Sequence, residues 1–424
     1  EELIKYFLFL IKYLKENKYI LITISSLFIV IFNHKALGWD SFTHWMPMAQ
    51  KMIDPTIELT GHALYYPIGS AILPLATSLI TGKLIENSYS IFNFFLLLIL
   101  FNSYFDDLKK FKNIDIRNFL IIILVFYVFY NPGILNKFTF SAYADFFLGV
   151  SLFLFLKEIN NFDLFKRSLF AIILITILII NIKNTGIVLL FISFFSYFIS
   201  RFFFKKISFY EYKNFLIIIA ISLIFYFLWK LTLEFSGNKD SIIRYNDYFQ
   251  RLDTFIIFLE SVGTQIFGRK IFFFSAFSLF IILFTFKKYL NIESKIFLST
   301  SILIFIFWNL FLFFMYFVWF SPSETRGAIS YWRYNMILAP TIFYGLLISS
   351  IDIGNVLLNE KTIKIKKFFL IIFGLIIFLL PFLFIDKLRR DINYPNIPSN
   401  FFTSTNNNYE IAFYYGVDAP YQAE

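Results

Sequence analysis

The chain has 424 residues, of which 58% are hydrophobic, 23% aromatic and 16% charged. About a quarter of the residues of a soluble domain would be charged. Apolar runs of roughly 15–24 residues also recur along the whole length, and such runs are long enough to cross a bilayer core of about 30 Å. These features exclude an ordinary soluble domain and predict an all-α polytopic membrane protein. The net charge of +10 does not indicate nucleic acid as a partner, because the cations fall in short loops, and the absence of cysteine excludes thiol chemistry and Cys-based metal sites.

The first predicted span covers about residues 19–34 and follows a run of lysines, so the N-terminus is predicted to be cytoplasmic. No small-residue cleavage site follows this span, which is therefore interpreted as a retained helix rather than a signal peptide. The first outer loop, at about 35–86, is predicted to contain interfacial helices. We interpret the apolar run 68–81 as interfacial or re-entrant, because the cation-rich segment 106–117 then lies inside.

The remaining apolar runs predict further spans and bring the total to about eleven transmembrane helices. Nearly every lysine cluster is then cytoplasmic. A longer polar loop at about 235–270 and the segment 321–335 lie outside. Residues 1–385 form one transmembrane module, and 386–424 a short outer-face tail. The further spans are predicted at 87–105, 118–134, 145–157, 168–182, 186–200, 214–233, 272–286, 296–319, 336–350 and 368–385.

A dense polar patch occupies residues 38–69, beside the first span. Ionisable groups at the edge of a membrane cost free energy and are usually kept for chemistry or ligand contact. Asp40 and His44 share a helix face, and the carboxylate suits either proton transfer from a hydroxyl or divalent-cation binding. Helix capping by Asp40 is the alternative, and the aromatic residues fit an interfacial belt as well as a sugar-stacking surface. The patch also contains Glu58, His62, Tyr65 and Tyr66.

Polar residues at three later positions are also predicted to face outwards. Asp145 opens a predicted span, where it either caps the helix or meets Asp40 in a two-carboxylate metal site. Lys183 lies between two short spans, which is typical of ligand sites in membrane proteins, although a lysine reaching for the interface is the alternative. Arg326 and Arg333 suit phosphate oxygens, whereas pairing with Glu324 or contact with lipid headgroups is the alternative.

Five short motifs together resemble bacterial GT-C-type glycosyltransferases, the polytopic enzymes related to protein mannosyltransferases and lipid A aminoarabinose transferases. This resemblance spans roughly residues 1–350. It implies a polyprenyl-phosphate-linked sugar donor and an inverting transfer on the outer face of the bacterial cytoplasmic (inner) membrane. The motifs are, in order, WDSFTHW (39–45), HALYYPIG (62–69), YAD (143–145), KNTG (183–186) and S-x-x-RY, which is Ser330, Arg333 and Tyr334.

The resemblance implies a role for each matching residue. Asp40 corresponds to the catalytic base or acceptor-orienting group, and Asp145 to a second acidic residue linked to a metal. The resemblance therefore leaves open whether Mg²⁺ or Mn²⁺ binds at Asp40 and Asp145. Ser41 stands where many relatives carry a second acidic residue, which counts against a metal. The other candidates are His44 for catalysis, then Lys183, Arg326, Arg333 and His62 for the donor phosphate, and finally Glu58, Tyr65, Tyr66 and Tyr334 for the substrate.

The leading hypothesis is thus a glycosyltransferase that moves a sugar from a polyprenyl-phosphate donor to a glycan, lipid or protein acceptor. A metal-independent O-antigen ligase or polymerase would rely on Arg and His instead of carboxylates. A transporter or flippase for a lipid-linked glycan would need paired charges near the centre of several spans. Mid-span regions such as 218–228 and 369–380 are nearly free of charge, which counts against transport.

Overall fold

The computed structural model of the chain is helical throughout the residues it describes, with no strand among them. The predicted all-α class is thereby confirmed. The described residues are 18–32, 46–53, 56, 67, 69, 71, 87–112, 114–135, 139–140, 143–160, 165–204, 209–235, 248–357, 379 and 381–383.

The α-helices follow the apolar runs of the sequence closely. Every predicted span from 19–34 to 336–350 falls on a helix, whereas the last, 368–385, lies almost entirely outside the described residues. In chain order the helices are α1 (Lys18–Ile31), α2 (Met46–Ile53), α3 (Ser88–Leu108), α4 (Ile114–Phe129), α5 (Ala144–Asn160), α6 (Phe165–Ile182), α7 (Thr185–Phe204), α8 (Phe209–Phe235), α9 (Tyr248–Gly268), α10 (Lys270–Thr285), α11 (Ile292–Val318), α12 (Pro322–Arg326), α13 (Tyr331–Met336) and α14 (Ala339–Leu357).

Four of these helices, α3, α7, α11 and α14, are long and apolar enough to cross a membrane by themselves. A fifth span is obtained when the bent pair α9 and α10 is counted as one. Several others are shorter than the roughly 20 residues that a bilayer core requires, such as α1 with 14 residues and α4 with 16. The helices therefore indicate a membrane protein, but the count of about eleven spans is not confirmed.

The segment at 235–270, predicted to be a polar loop, contains the 21-residue helix α9. This part of the segment is thus helical and not irregular, because α9 mixes polar and apolar residues at helical spacing, whereas its position outside the membrane stays a prediction. The outer segment 321–335 likewise contains two short helices, α12 and α13. Ser321 and Glu324 cap α12 reciprocally, since the Ser321 backbone N–H donates to the Glu324 carboxylate at 3.0 Å and the Glu324 backbone N–H donates to the Ser321 hydroxyl at 3.4 Å.

The chain divides into two compact units. The first comprises residues 1–46, 73–143 and 354–424, and the second comprises 47–72 and 144–353. In the first, α1, α3 and α4 pack together, with the Phe101 and Phe129 rings 5.3 Å apart between centroids. In the second, α7 packs along α11 and α5 along α6, and the Phe155 and Phe194 rings meet edge to face at 5.1 Å. Aromatic contacts thus contribute to both cores, together with buried aliphatic side chains.

Candidate functional site

A cluster of three charged side chains lies inside the second unit. The Lys183 Nζ is 2.7 Å from Asp145 Oδ1, and the Arg333 Nε is 3.5 Å from Asp145 Oδ2. The side chains of Lys183 and Asp145 are each 7% exposed, and that of Arg333 is 12% exposed. A buried carboxylate is therefore bracketed by two cations that come from segments 38 or more residues away.

Helix ends place the first two of these charges. Asp145 lies in the first turn of α5, where the positive end of the helix dipole favours a carboxylate. Lys183 directly follows Ile182, the last residue of α6, where the negative end of that dipole favours a cation, but α7 begins two residues later at Thr185 and its positive end offsets this effect. The helix dipole therefore stabilises Asp145, whereas Lys183 is stabilised mainly by its ion pair with Asp145.

A strained turn places Arg333. Ala328 and Ser330, just before α13, have φ angles of 46° and 64°, in the left-handed region that residues with a Cβ rarely adopt. Such residues cost about 1–3 kcal/mol each and persist only where their surroundings hold them. Here the Tyr316 hydroxyl donates to the Ile329 carbonyl, and the Thr325 hydroxyl donates to the Tyr316 carbonyl at 2.9 Å. This turn therefore lowers the stability of the fold, but it directs α13, and with it Arg333, towards Asp145.

Two glycines allow the backbones around the cluster to approach each other. A Cβ at Gly149 would lie 2.6 Å from the Ile337 carbonyl oxygen, and one at Gly186 would lie 2.0 Å from that of Ile179. Gly149 is one helical turn after Asp145, and Ile337 is four residues after Arg333, so the first contact holds these two charges together. The second allows α7 to pack against the last turn of α6, beside Lys183.

The ring of Tyr334 forms one wall of the cluster. Its centroid is 4.9 Å from Lys183 Nζ and 5.3 Å from the Arg333 guanidinium carbon. Cations at this distance from an aromatic face gain about 0.5–2 kcal/mol. The indole N–H of the buried Trp308 donates to the Tyr334 carbonyl at 3.1 Å, which fixes the backbone that carries the ring. Tyr334 thus stabilises both cations without adding a charge.

We expect Tyr334→Leu to lower the free energy of unfolding by about 1–2 kcal/mol, because it removes the ring that faces both cations. Tyr334→Phe keeps the ring and should change stability much less. Unfolding of the purified protein in detergent, followed by circular dichroism, measures both variants. Equal losses for the two would contradict the role given to the ring and would instead implicate the hydroxyl.

The surroundings of Asp145 do not suit the metal ligand that was one of its predicted roles. Both of its carboxylate oxygens face cations, and a divalent ion would have to displace Lys183 or Arg333. Within the described residues, no group of three or more His, Asp or Glu side chains is arranged to hold a metal ion. The arrangement instead suits an anion, because two cationic donors outnumber the single carboxylate and are partly desolvated.

The structure brings together Asp145, Lys183, Arg333 and Tyr334, four of the residues predicted from sequence. Arg326 is exposed at the end of α12 and takes no part in the described ion pairs of Asp145, so its contact with a donor phosphate stays a prediction. The other predicted site residues lie outside the described residues. These are Asp40, His44, Glu58, His62, Tyr65 and Tyr66.

One described residue of the first loop nevertheless lies close to the cluster. Gly69 contacts the backbone of Asn181, so closely that a Cβ there would lie 2.3 Å from the Asn181 carbonyl oxygen. Asn181 is two residues before Lys183. The end of the HALYYPIG segment therefore adjoins the corner between α6 and α7 that carries Lys183.

Sequence reasoning missed the residues that position α13. Trp308 and Asn309 lie in the middle of α11, where the side-chain Oδ1 of Asn309 accepts a 2.5 Å hydrogen bond from the Tyr331 hydroxyl. An Asn beside a Trp in an otherwise apolar helix was the available signal, because a polar side chain in such a helix needs a partner.

Comparison with known proteins adds no assignment: no protein-family model matches the chain, and no match was found among the curated proteins or the solved structures.

Proposed function

We propose that the chain is a GT-C-type glycosyltransferase of the bacterial cytoplasmic membrane, with about eleven spans and a cytoplasmic N-terminus. It transfers a sugar from a polyprenyl-phosphate donor to a glycan, lipid or protein acceptor on the outer face. The observation that carries this proposal is the meeting of Lys183 and Arg333 at Asp145, beside Tyr334. All four residues were selected from motifs that resemble this class of enzyme.

The chemistry requires a stabilised leaving group. In an inverting transfer the acceptor oxygen attacks the anomeric carbon, and the bond from that carbon to the phosphate oxygen breaks. The electron pair remains on the phosphate, whose developing charge Lys183 and Arg333 are suited to stabilise. The acceptor hydroxyl loses its proton to a base, for which Asp40 is the candidate.

The role of Asp145 in this scheme is to hold the two cations, not to react. A Lys ammonium has three N–H donors and an Arg guanidinium has five, so each can contact Asp145 and a phosphate together. The carboxylate fixes their positions and offsets part of their burial cost. Gly69, the last residue of the HALYYPIG motif, lies against the Asn181 backbone two residues from Lys183, so two of the matching motifs adjoin each other.

The decisive experiment uses the full chain in nanodiscs with a lipid extract of its host membrane, and mass spectrometry of polyprenyl-phosphate sugars. We expect consumption by the wild type and a loss of roughly 10²–10³-fold in Lys183→Met, the range for removing one such donor. Lys288→Met, at an exposed lysine outside the cluster, is the matched control and should retain activity. Asp40→Asn should also be inactive.

The same assay with EDTA tests whether the reaction requires a divalent metal ion. We expect turnover to persist, because Asp145 faces two cations. Loss of turnover in EDTA would restore the metal prediction at Asp40 and Asp145. Metal-independent turnover that survives Asp40→Asn would favour the ligase or polymerase alternative, which relies on cations.

A transporter is the second candidate, because the ion cluster is buried, although Asp145 and Lys183 lie at helix ends and not near the centre of spans. Buried paired charges are typical of substrate and ion pathways in membrane proteins. Uptake of an intact lipid-linked glycan into sealed vesicles, with no chemical change and with dependence on Lys183, would establish transport and exclude transfer.

A further inference from the structure

Helix α9 presents two opposite apolar faces. Thr254, Phe258 and Val262, spaced by four residues, are buried against the rest of the second unit. Phe258 stacks on Tyr316 at 4.6 Å, which anchors this face to α11. The other face remains exposed. It carries Ile256, Leu259, Gly263 and Phe267, whose spacing of three, four and four places them on one side of the helix.

This exposed stripe is unusually apolar for a surface in water. Ile256 is 51% exposed, Leu259 44% and Phe267 74%, and nothing lies within 4 Å of a Cβ built at Gly263. Beside the stripe are the exposed polar residues Glu260 and Thr264, followed around the helix by Ile257, which is 43% exposed. A helix with an apolar stripe and a polar flank is the type that lies in a membrane interface.

The orientation of the next helix supports that position. α9 ends at Gly268 and α10 begins at Lys270, and the two helix axes differ by 91°. α10 is almost wholly apolar, and Phe274, Phe277 and Phe284 on it are each more than half exposed, as expected of a lipid-facing surface. Where α10 enters the membrane along its normal, α9 lies close to the membrane plane, and the bent pair is then not one continuous span.

The residues at the bend match the chemistry of the headgroup layer. The Arg269 guanidinium carbon lies 4.1 Å from the centre of the Trp332 ring, and Lys270 is exposed next to it. Tryptophan and long cationic side chains concentrate where a bilayer meets water, with the cation directed at lipid phosphates. The exposed Phe267 directly precedes this bend, on the side of α9.

We propose that α9 is a membrane-surface helix whose partner is the phospholipid bilayer, with the stripe of Ile256, Leu259 and Phe267 inserted below the headgroups. Arg269 and Trp332 then lie at the level of the lipid phosphates. A membrane-crossing α9 would place the exposed Glu260 in hydrocarbon at a cost of several kcal/mol, so the surface position is favoured. This inference does not depend on the proposed function.

Single-cysteine labelling tests it directly, because the chain contains no cysteine. Ile256→Cys and Phe267→Cys place an environment-sensitive fluorophore at the two ends of the stripe, and Thr264→Cys places it on the polar flank as the matched control. The labelled proteins are reconstituted in phosphatidylcholine–phosphatidylglycerol vesicles. Quenching by lipids that are spin-labelled at known depths gives the depth of each probe, and quenching by iodide gives its exposure to water.

We expect the probes at 256 and 267 to lie at similar shallow depths and to resist iodide, and the probe at 264 to be quenched by iodide severalfold more strongly. The two stripe positions are about 16 Å apart along the helix, so a crossing helix would separate their depths by most of that distance. Such a difference would overturn the proposal, as would full iodide access at both positions. All three substitutions are at exposed sites, and thermal unfolding confirms that each variant is folded.

Discussion

Asp145→Asn is expected to destabilise the protein by about 3–5 kcal/mol, the usual cost of leaving a buried charge without its partner. The substitution keeps the shape of the side chain but removes the negative charge between Lys183 and Arg333. The two cations then repel each other in a partly desolvated site, where Coulomb energies are several times larger than in water. Thermal unfolding in detergent, followed by the loss of soluble folded protein, measures the effect.

An exposed ion pair provides the control. Lys109 Nζ lies 2.9 Å from Asp106 Oδ1, nearly as close as the buried pair, but the two side chains are 47% and 53% exposed. Exposed pairs contribute about 0–1 kcal/mol, so Asp106→Asn should leave the unfolding temperature almost unchanged. If Asp145→Asn lowered the unfolding temperature no more than Asp106→Asn does, the cluster would not contribute to stability.

The double variant Asp145→Asn with Lys183→Met separates stability from activity. It removes one of the two uncompensated cations, so it should recover part of the stability that Asp145→Asn loses. It also lacks a group proposed to bind the donor phosphate, so it should remain inactive in the lipid-linked sugar assay. Recovery of activity together with stability would exclude Lys183 from the reaction.

Gly186→Ala is the second substitution with a large expected effect. The new Cβ would lie 2.0 Å from the Ile179 carbonyl oxygen, and because this is a backbone atom, α6 and α7 must move apart. Overpacking of this kind costs about 1–3 kcal/mol and here also displaces Lys183, which lies between the two helices. We therefore expect a lower unfolding temperature and a loss of the activity that depends on Lys183.

Gly263→Ala is the matched control for that substitution. It makes the same chemical change inside helix α9, but nothing lies within 4 Å of the added Cβ. Because alanine favours a helix over glycine by about 1 kcal/mol, Gly263→Ala should be neutral or stabilising. Similar unfolding temperatures for the two variants would show that α6 and α7 pack less tightly at Gly186 than the 2.0 Å distance implies.

The positions of the helices were largely determined by the sequence itself. An apolar run of sufficient length forms a helix because its backbone groups must be hydrogen-bonded internally, whichever neighbours it acquires. The predicted span 87–105 therefore coincides with α3, and 296–319 with α11. The helix α9 did not follow from hydropathy, because its polar flank lowers the average hydropathy of the segment.

The individual site residues could also be predicted from the sequence. A charged side chain beside an apolar run costs free energy, so it is usually retained for a function. Asp145, Lys183 and Arg333 were selected on this ground. Their mutual contact was not predicted: Asp145 was expected either to cap its helix or to meet Asp40 at a metal, and in the structure Lys183 and Arg333 lie beside it, whereas Asp40 is outside the described residues. That arrangement depends on which helices touch, which Gly149 and Gly186 permit but do not specify.

Only the tertiary structure therefore decided that the described site is a compensated ion cluster suited to an anion. The sequence determined helices and placed charges at their ends, because both follow from local burial and hydrogen bonding. Pairing charges 38 or more residues apart requires close backbone contact at Ile337 and Ile179 and a strained turn at Ala328. The contact at Ile179 joins neighbouring helices, but the contact between Gly149 and Ile337 joins residues far apart in the chain, so no single segment of the sequence specifies the cluster.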